Sequence, residues 1–190
     1  MLTRTNFLFP VILYLSLAIF LAGYVIYINF PGWPRMIYMI PAGLLVFSLV
    51  EYLLHRFVFH FDAKTEKQEE IKFKIHGVHH AYPRDKDRLA MPPVISIVLA
   101  LVFYGLFRVL LKEDVLLFFP GFLAGYSFYL IIHYSVHRFR PPRNFLKILW
   151  THHALHHYKS EHTAFAVSMP MWDYVFRTLP EKPKSQAEVS

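Results

Sequence analysis

No cysteine occurs in the 190 residues of this chain. That excludes disulfides, zinc ribbons, thiolate-ligated haem and cysteine-held iron–sulfur clusters, and it leaves the redox compartment unread. Charge is scarce as well: Asp, Glu, Lys and Arg make up 17% of the chain against 55% hydrophobic residues, a poorer charge content than a typical soluble domain carries. No GxSxG elbow, P-loop or GxGxxG turn is present, so serine-hydrolase, nucleotide and Rossmann readings have no support. The Glu and Glu-x-x-His motifs of carboxylate-bridged di-metal bundles are missing too. The net charge of +7 is not attached to any soluble recognition motif, so nucleic acid is not an expected partner. Basic loops beside apolar runs fit a membrane protein better, and the 18% of aromatic residues suits lipid-facing and interfacial positions.

The length suits one domain, 1–190. Residues 7–30 carry no charge over 24 positions. As a helix they would extend about 36 Å, enough to cross a hydrocarbon core of about 30 Å with tilt. The run exceeds a usual signal-peptide core and no small-x-small cleavage site follows it, which favours a span over a signal peptide. Further spans are expected at about 36–54, 90–111 and 115–132, with PGWPR and KED as the breaks, and Trp33 and Arg35 placed to sit at an interface. The polar stretch 61–88 holds an amphipathic helical segment, TEKQEEIKFKIHGVHH, with Thr65 as N-cap and Gln68 at the capping-box position. Residues 181–190 read as a disordered tail. Of the 20 Lys and Arg, seven lie in 61–90 and eight after residue 137. With four spans, the positive-inside rule puts both termini in the cytoplasm. The expected fold is therefore all-α: an integral membrane protein with four transmembrane helices and a cytosolic helical cap.

Histidine is absent from the first 54 residues, and all twelve lie between 55 and 162. Ten form four groups: His55 and His60; His76, His79 and His80; His133 and His137; His153, His156 and His157. On a helix, positions i, i+3 and i+4 lie within about 100° of one another, so such groups can aim their imidazoles at one point. A structural zinc usually takes four ligands, which leaves ten histidines in surplus, whereas two metals with about five each would use them all. Imidazole suits Zn, Fe, Cu and Ni, so the ligand type does not name the metal. Adjacent helical residues point about 100° apart, so His79/His80 and His156/His157 could each split between two ions. Residues five apart lie about 140° apart on an ideal helix, which places His60 beyond a helix end. The acids Glu51, Asp62, Asp85, Asp87, Glu161 and Asp173 are candidates to orient His rings or are solvated loop charges. Tyr129, Tyr134 and Tyr158 pack at the interface or line a pocket.

Four stretches carry a family resemblance: EYLLHRFVFH (51–60), HGVHHAYPRDKDRLAMPP (76–93), GYSFYLIIHYSVH (125–137) and THHALHHYKSEHTAFAVSMPMWDYVFRTL (151–179). They resemble the membrane fatty acid hydroxylase superfamily, and the flanking residues narrow this to its fatty acid 2-hydroxylase branch. The resemblance implies a dinuclear site with one metal held by His55, His60, His76, His80 and His156. The other would be held by His79, His133, His137, His153 and His157, with His152 and His162 outside the ligand set. It further implies two iron ions for turnover (zinc is found in structures of the family), O₂ as co-substrate, and a lipid substrate hydroxylated at C2 of a fatty acyl chain, free or within a sphingolipid-like or ceramide-like lipid. With no HPGG haem motif, electrons are expected from a separate cytochrome b5-like or ferredoxin donor, and a bacterial inner membrane is favoured over the endoplasmic reticulum. Leu130 stands where the branch usually has Asp, Trp150 where it commonly has Lys, and FAVS at 165–168 where it has FG(V/I)S, which bears on substrate recognition rather than on the metals. The alternatives are a lipid desaturase or a sterol or carotenoid hydroxylase with the same His pattern, and a non-catalytic membrane metal-binding or transport protein.

Overall fold

The computed structural model describes residues 4–28 and 30–179; the tail expected at 181–190 lies outside them. The described residues form helices α1 (Leu8–Ile28), α2 (Trp33–Leu54), α3 (Glu66–Lys72), α4 (Val78–Ala81), α5 (Pro93–Leu111), α6 (Val115–Arg138), α7 (Lys147–Tyr158) and α8 (Met171–Val175), with no strand among them. Three helical stretches are long and apolar enough to cross a membrane: Leu8–Ile28, Trp33–Phe59 and Lys86–Arg138. The third is a hairpin. Phe107 packs on Phe118 and Phe103 on Phe122, a pairing in which one chain index falls as the other rises, so α5 and α6 run antiparallel. The turn between them is Lys112–Asp114, where Lys112 takes a positive φ of 53°.

Helix α2 begins at Trp33 rather than near residue 36, because Pro34 sits in its first turn, where a fixed φ and a missing N–H carry no penalty. Helix α6 runs on past residue 132 to Arg138 and carries His133 and His137 with it. Thr65 does cap α3, its hydroxyl accepting from Gln68 N at 3.3 Å, while the Gln68 side chain accepts from Lys64 N at 2.6 Å.

Helix α6 is the axis of the fold. Its Val115, Phe118, Phe119, Phe122 and Leu123 are buried against Tyr14 and Ala18 of α1, Phe47 of α2 and Phe107 of α5. The outward faces are apolar instead of polar: Ile19 is 71% exposed and Val109 78%, the pattern of helices solvated by lipid. Glycines let α2 and α6 approach closely. A Cβ on Gly43 would overlap the Phe118 carbonyl, one on Gly121 would overlap that of Ile40, and one on Gly125 would come within 2.6 Å of the Phe47 side chain. Small residues at a helix contact serve the same purpose throughout membrane proteins.

Because α2 leads into one histidine group and α6 carries another, their spacing sets the spacing of the site. Gly43→Ala is expected to lose about 1–3 kcal/mol by overpacking. Gly23, with nothing within 4 Å of its would-be Cβ, should tolerate Ala or gain slightly. Thermal unfolding of both variants in detergent checks the opposed signs. At the end of the bundle away from the histidines, Arg35 pairs with Asp114, and Arg108 donates to Glu113 at 2.6 Å, tying α2 to the α5–α6 turn.

Candidate metal centre

The ends of α2 and α6, with α4 and α7, converge at one end of the bundle. After Leu54 the helix widens into a π-helical turn, His55–Phe59, and His60 N bonds back to His55 O at 3.2 Å. An i→i+5 turn brings residues five apart onto one face. Thus HxxxxH, divergent on an α-helix, here aims both rings at the same point: His60 Nε2 lies 3.2 Å from His55 Nε2. A second π-helical turn, Phe73–Gly77, precedes α4 and carries His76.

The ten histidines gather into two sets of five whose ring nitrogens lie within 4.8 Å of one another: His55, His60, His76, His80 and His156, and His79, His133, His137, His153 and His157. The membership is the one the resemblance implies. In the first set His76 Nε2 is 3.1 Å from those of His55 and His80, and His156 Nε2 is 3.0 Å from that of His60. In the second, His79 Nε2 is 3.0 Å from that of His133 and 3.1 Å from that of His157, and His153 and His137 meet at 2.7 Å. Each adjacent pair, His79/His80 and His156/His157, is divided between the sets. The sets touch where His80 and His157 stack at 4.1 Å.

Two backbone carbonyls decide the tautomers in the first set. Phe165 O accepts from His55 Nδ1 at 2.5 Å, and Thr163 O accepts from His156 Nδ1 at 2.8 Å. A carbonyl has no proton to give, so both Nδ1 atoms carry the hydrogen and both Nε2 atoms turn a bare lone pair inward. Lone pairs facing one another at these distances repel unless a cation lies between them. The donor set therefore fits a metal ion, with carbonyls orienting the rings from behind as metal sites commonly require.

Burial keeps the rings uncharged. It is the largest cause holding His80 and His156 to about 4 and His60 to about 2, and neighbouring rings depress His60 and His80 further. His76, His79 and His153 are likewise well below 6.5. Neutral imidazole is the ligand form. The unfolded chain protonates these rings near 6.5 while the folded one resists until about 4 for His80 and His156. Between those values the unfolded state binds more protons, so stability falls as pH falls. The metal-free protein is expected to be most stable above 6.5 and to lose melting temperature down to about pH 4. A melting temperature flat across that window would contradict the buried placement of the rings.

The acids divide unevenly. Only Glu161 faces one of the ten, with its carboxylate 3.7 Å from His60 Nδ1. Asp173, fully buried, accepts from His152 Nε2 at 3.0 Å, from Phe165 N and Ala166 N at 2.9 Å, and from Thr178 Oγ1 at 2.6 Å. Glu51 accepts from Val167 N at 2.8 Å, Ser168 N at 3.0 Å and the Ser168 hydroxyl. Two buried carboxylates thus clamp the segment whose Phe165 carbonyl orients His55. That indirect role is invisible in sequence, because Glu51 acts on backbone N–H groups far away in the chain and Asp173 on N–H groups that only the local fold turns towards it. Asp85 and Asp87 shape the turn before α5, and Asp62 makes no hydrogen bond or ion pair among the described residues. Tyr129 stacks on His133 and Tyr134 on Phe7, while Tyr158 is exposed. His162 is exposed at the surface.

A family model for fatty acid hydroxylases matches residues 40–178. The chain belongs to the fatty acid hydroxylase family. Among relatives within it, the fatty acid 2-hydroxylase of Rattus norvegicus is 40% identical over 151 residues, covering 76% of this chain and 41% of that protein. A dihydroceramide fatty acyl 2-hydroxylase of Arabidopsis thaliana is 32% identical over 148 residues, covering 77% of this chain and 62% of its own length. The ceramide very long chain fatty acid hydroxylase of Schizosaccharomyces pombe is 39% identical over 140 residues, 72% of this chain and 40% of that protein. A solved structure described as full-length Scs7p, with only the hydroxylase domain visible, superposes with a TM-score of 0.86 at 33% identity, over 97% of this chain and 71% of that one. The chain thus spans about 40–62% of the length of these curated relatives. All of the histidine groups fall within the part that the family model matches.

Proposed function

We propose that this protein is a membrane lipid monooxygenase that hydroxylates C2 of a fatty acyl chain, free or within a sphingolipid-like lipid, using O₂ and electrons from a redox partner. The single observation that carries this reading is the pair of five-histidine sets, oriented from behind by carbonyls, in a chain whose relatives are 2-hydroxylases. The same reading makes the ten histidines the ligands of two metal ions, iron in the active form. It also makes the α5–α6 hairpin two spans, four in all, with the histidine-bearing end and both termini on the cytoplasmic side. The excess of Lys and Arg in 61–90 and after residue 137 supports that orientation.

Bound iron would supply O₂ activation and attack on an unactivated C–H bond, chemistry that no side chain here provides. The chain's own residues do the positioning. Neutral, buried rings hold the donor nitrogens in place with little rearrangement, and the Phe165 and Thr163 carbonyls fix two of them by hydrogen bonds. Asp173 and Glu51 hold the segment that carries Phe165. A mostly apolar pocket of about 200 Å³ between α2 and α6, lined by Leu44, Phe47, Phe128 and Ile132 with Ser168 and Met169, offers an apolar surface for part of an acyl chain. Orientation of this kind makes one carbon out of many the reactive one.

Lipid mass spectrometry on a host expressing the protein under ¹⁸O₂ tests the reading. Labelled 2-hydroxyacyl lipids, absent without the protein, are the expected result. A new double bond would make it a desaturase, and oxygen on a sterol or carotenoid would change the substrate class. Metal exchange with no lipid change, with iron bound and a donor supplied, would overturn catalysis.

A further inference from the structure

Beside the second histidine set lies a cavity of about 870 Å³, whose wall includes His137, His153 and His157. The end of α6, the face of α7 and the turn at residues 84–86 line this half-open cavity, and the Trp150 indole braces one side by donating to Phe139 O at 2.9 Å. Its remaining lining mixes apolar side chains such as Val136, Pro141 and Leu155 with several cations. Arg84, Lys86, Arg138 and Arg140 all border it, all are exposed, and none has a carboxylate partner among the described residues. Some cations elsewhere find carboxylates, Arg35 with Asp114, Arg88 with Asp85 and Arg108 with Glu113, and others such as Arg143 and Arg177 find none among the described residues; what sets these four apart is that they border one concavity. Four unneutralised positive side chains around one concavity repel one another, and an anion drawn in relieves that repulsion.

We infer that this cavity receives the head of the acyl substrate, and that the head is an anion, a carboxylate or a phosphate on the acyl carrier. The inference rests on the C2 reading above. If oxygen is placed on C2, the C1 carbonyl is one bond from the reacting carbon, so whatever C1 is attached to lies against the metal-centre histidines. The cavity that shares His137, His153 and His157 is where that group fits, and its volume is that of a small-molecule site. Arginine forks match carboxylate and phosphate oxygens in pairs. A neutral carrier would leave the four cations unpaired. The acidic face of a protein electron donor is the competing anion, but a concavity of this size bounded by the site's own rings favours a small group over a flat protein surface.

The test uses the purified full-length protein in neutral-detergent micelles, equilibrated separately with palmitate, dipalmitoyl phosphatidate and N-palmitoyl sphinganine, with retained lipid counted by mass spectrometry. The same is done for the triple variant Arg84→Gln, Arg138→Gln, Arg140→Gln, whose folding is checked by its melting temperature. At least one of the two anionic lipids should bind about tenfold or more tightly than the neutral one, a preference the triple variant loses. Retention of palmitate alone identifies a free acid, and retention of phosphatidate alone a phospholipid. Equal retention of the neutral lipid, or a preference that survives in the triple variant, overturns the inference. So does turnover in which the substitutions raise KM for the electron donor while leaving that for lipid unchanged. Binding needs no turnover, so the two readings fail separately. Labelled 2-hydroxyacyl product on neutral carriers only, indifferent to the substitutions, overturns the anionic head and leaves C2 chemistry standing. An intact anion preference with oxygen found away from C2 overturns the regiochemistry on which the inference rests.

Discussion

His156→Ala abolishes lipid hydroxylation and lowers bound metal from two ions per chain towards one: that is the outcome expected if the two five-histidine sets each hold an ion. His156 is fully buried, and it reaches the first set with a nitrogen whose lone pair points inward because Thr163 O holds the proton on the other side of the ring. Alanine removes that donor and strands the carbonyl. Loss of residues that merely orient a ligand lowers metal affinity by about 10–100-fold, and loss of the ligand itself should exceed this. His162→Ala is the matched control, since that ring is exposed and belongs to neither set. It should keep both metal and activity. Elemental analysis of the purified variants, beside the labelled-lipid assay, reads both effects.

Asp173→Ala is expected to be the most damaging change away from the ten histidines. Four donors converge on this fully buried carboxylate: two backbone N–H groups, the Thr178 hydroxyl and the His152 ring. Removing the acceptor leaves them unsatisfied in a site that water does not reach, at a cost on the order of 3–5 kcal/mol. The damage passes to the metal site through a short chain of bonds. Phe165 N is held by Asp173, and Phe165 O holds His55. Weaker binding at the first set, by about 10–100-fold, should therefore accompany the lower melting temperature. Asp173→Asn keeps one accepting oxygen and should fall between. A chelator competition that found wild-type zinc affinity in a destabilised Asp173→Ala protein would confine the residue to a purely structural role.

The histidines and the apolar runs were legible because their signal is local: residue type and spacing along one chain segment. What escaped is long-range or conformational. His60 stands just past the helix end, where the sequence places it, but the π-helical turn at His55–Phe59 that brings its ring to His55 left no local signal. The last apolar run reads to about residue 132, and α6 continues beyond it as helix to Arg138, carrying the buried His133 and, on the same helix, His137. The reversal at Lys112–Asp114 shows in sequence as a charged triplet, although the helical stretch around it is long enough to count as one apolar unit. Leu130, unusual for its branch, is 1% exposed and packs with Val11 and Ala90, so an apolar side chain there joins α6 to α1. Trp150 likewise finds a use in bracing the loop after α6. Glu51 and Asp173 stand among the acids expected to orient His rings, and Asp173 does take His152, but the clamp they build on the backbone of 165–168 could not be read. Glu51 binds N–H groups more than a hundred residues away, and the partners of Asp173 are set by a fold in which Ala164 takes a left-handed conformation at φ 56°.

The most direct measurement is anomalous diffraction at the metal edge from crystals of the protein loaded with iron or zinc. Two separate peaks are predicted. One should lie about 2.1 Å from nitrogens of His55, His60, His76, His80 and His156, and the other at a similar distance from those of His79, His133, His137, His153 and His157. A single peak, or one ion bound by both His79 and His80, would contradict the account.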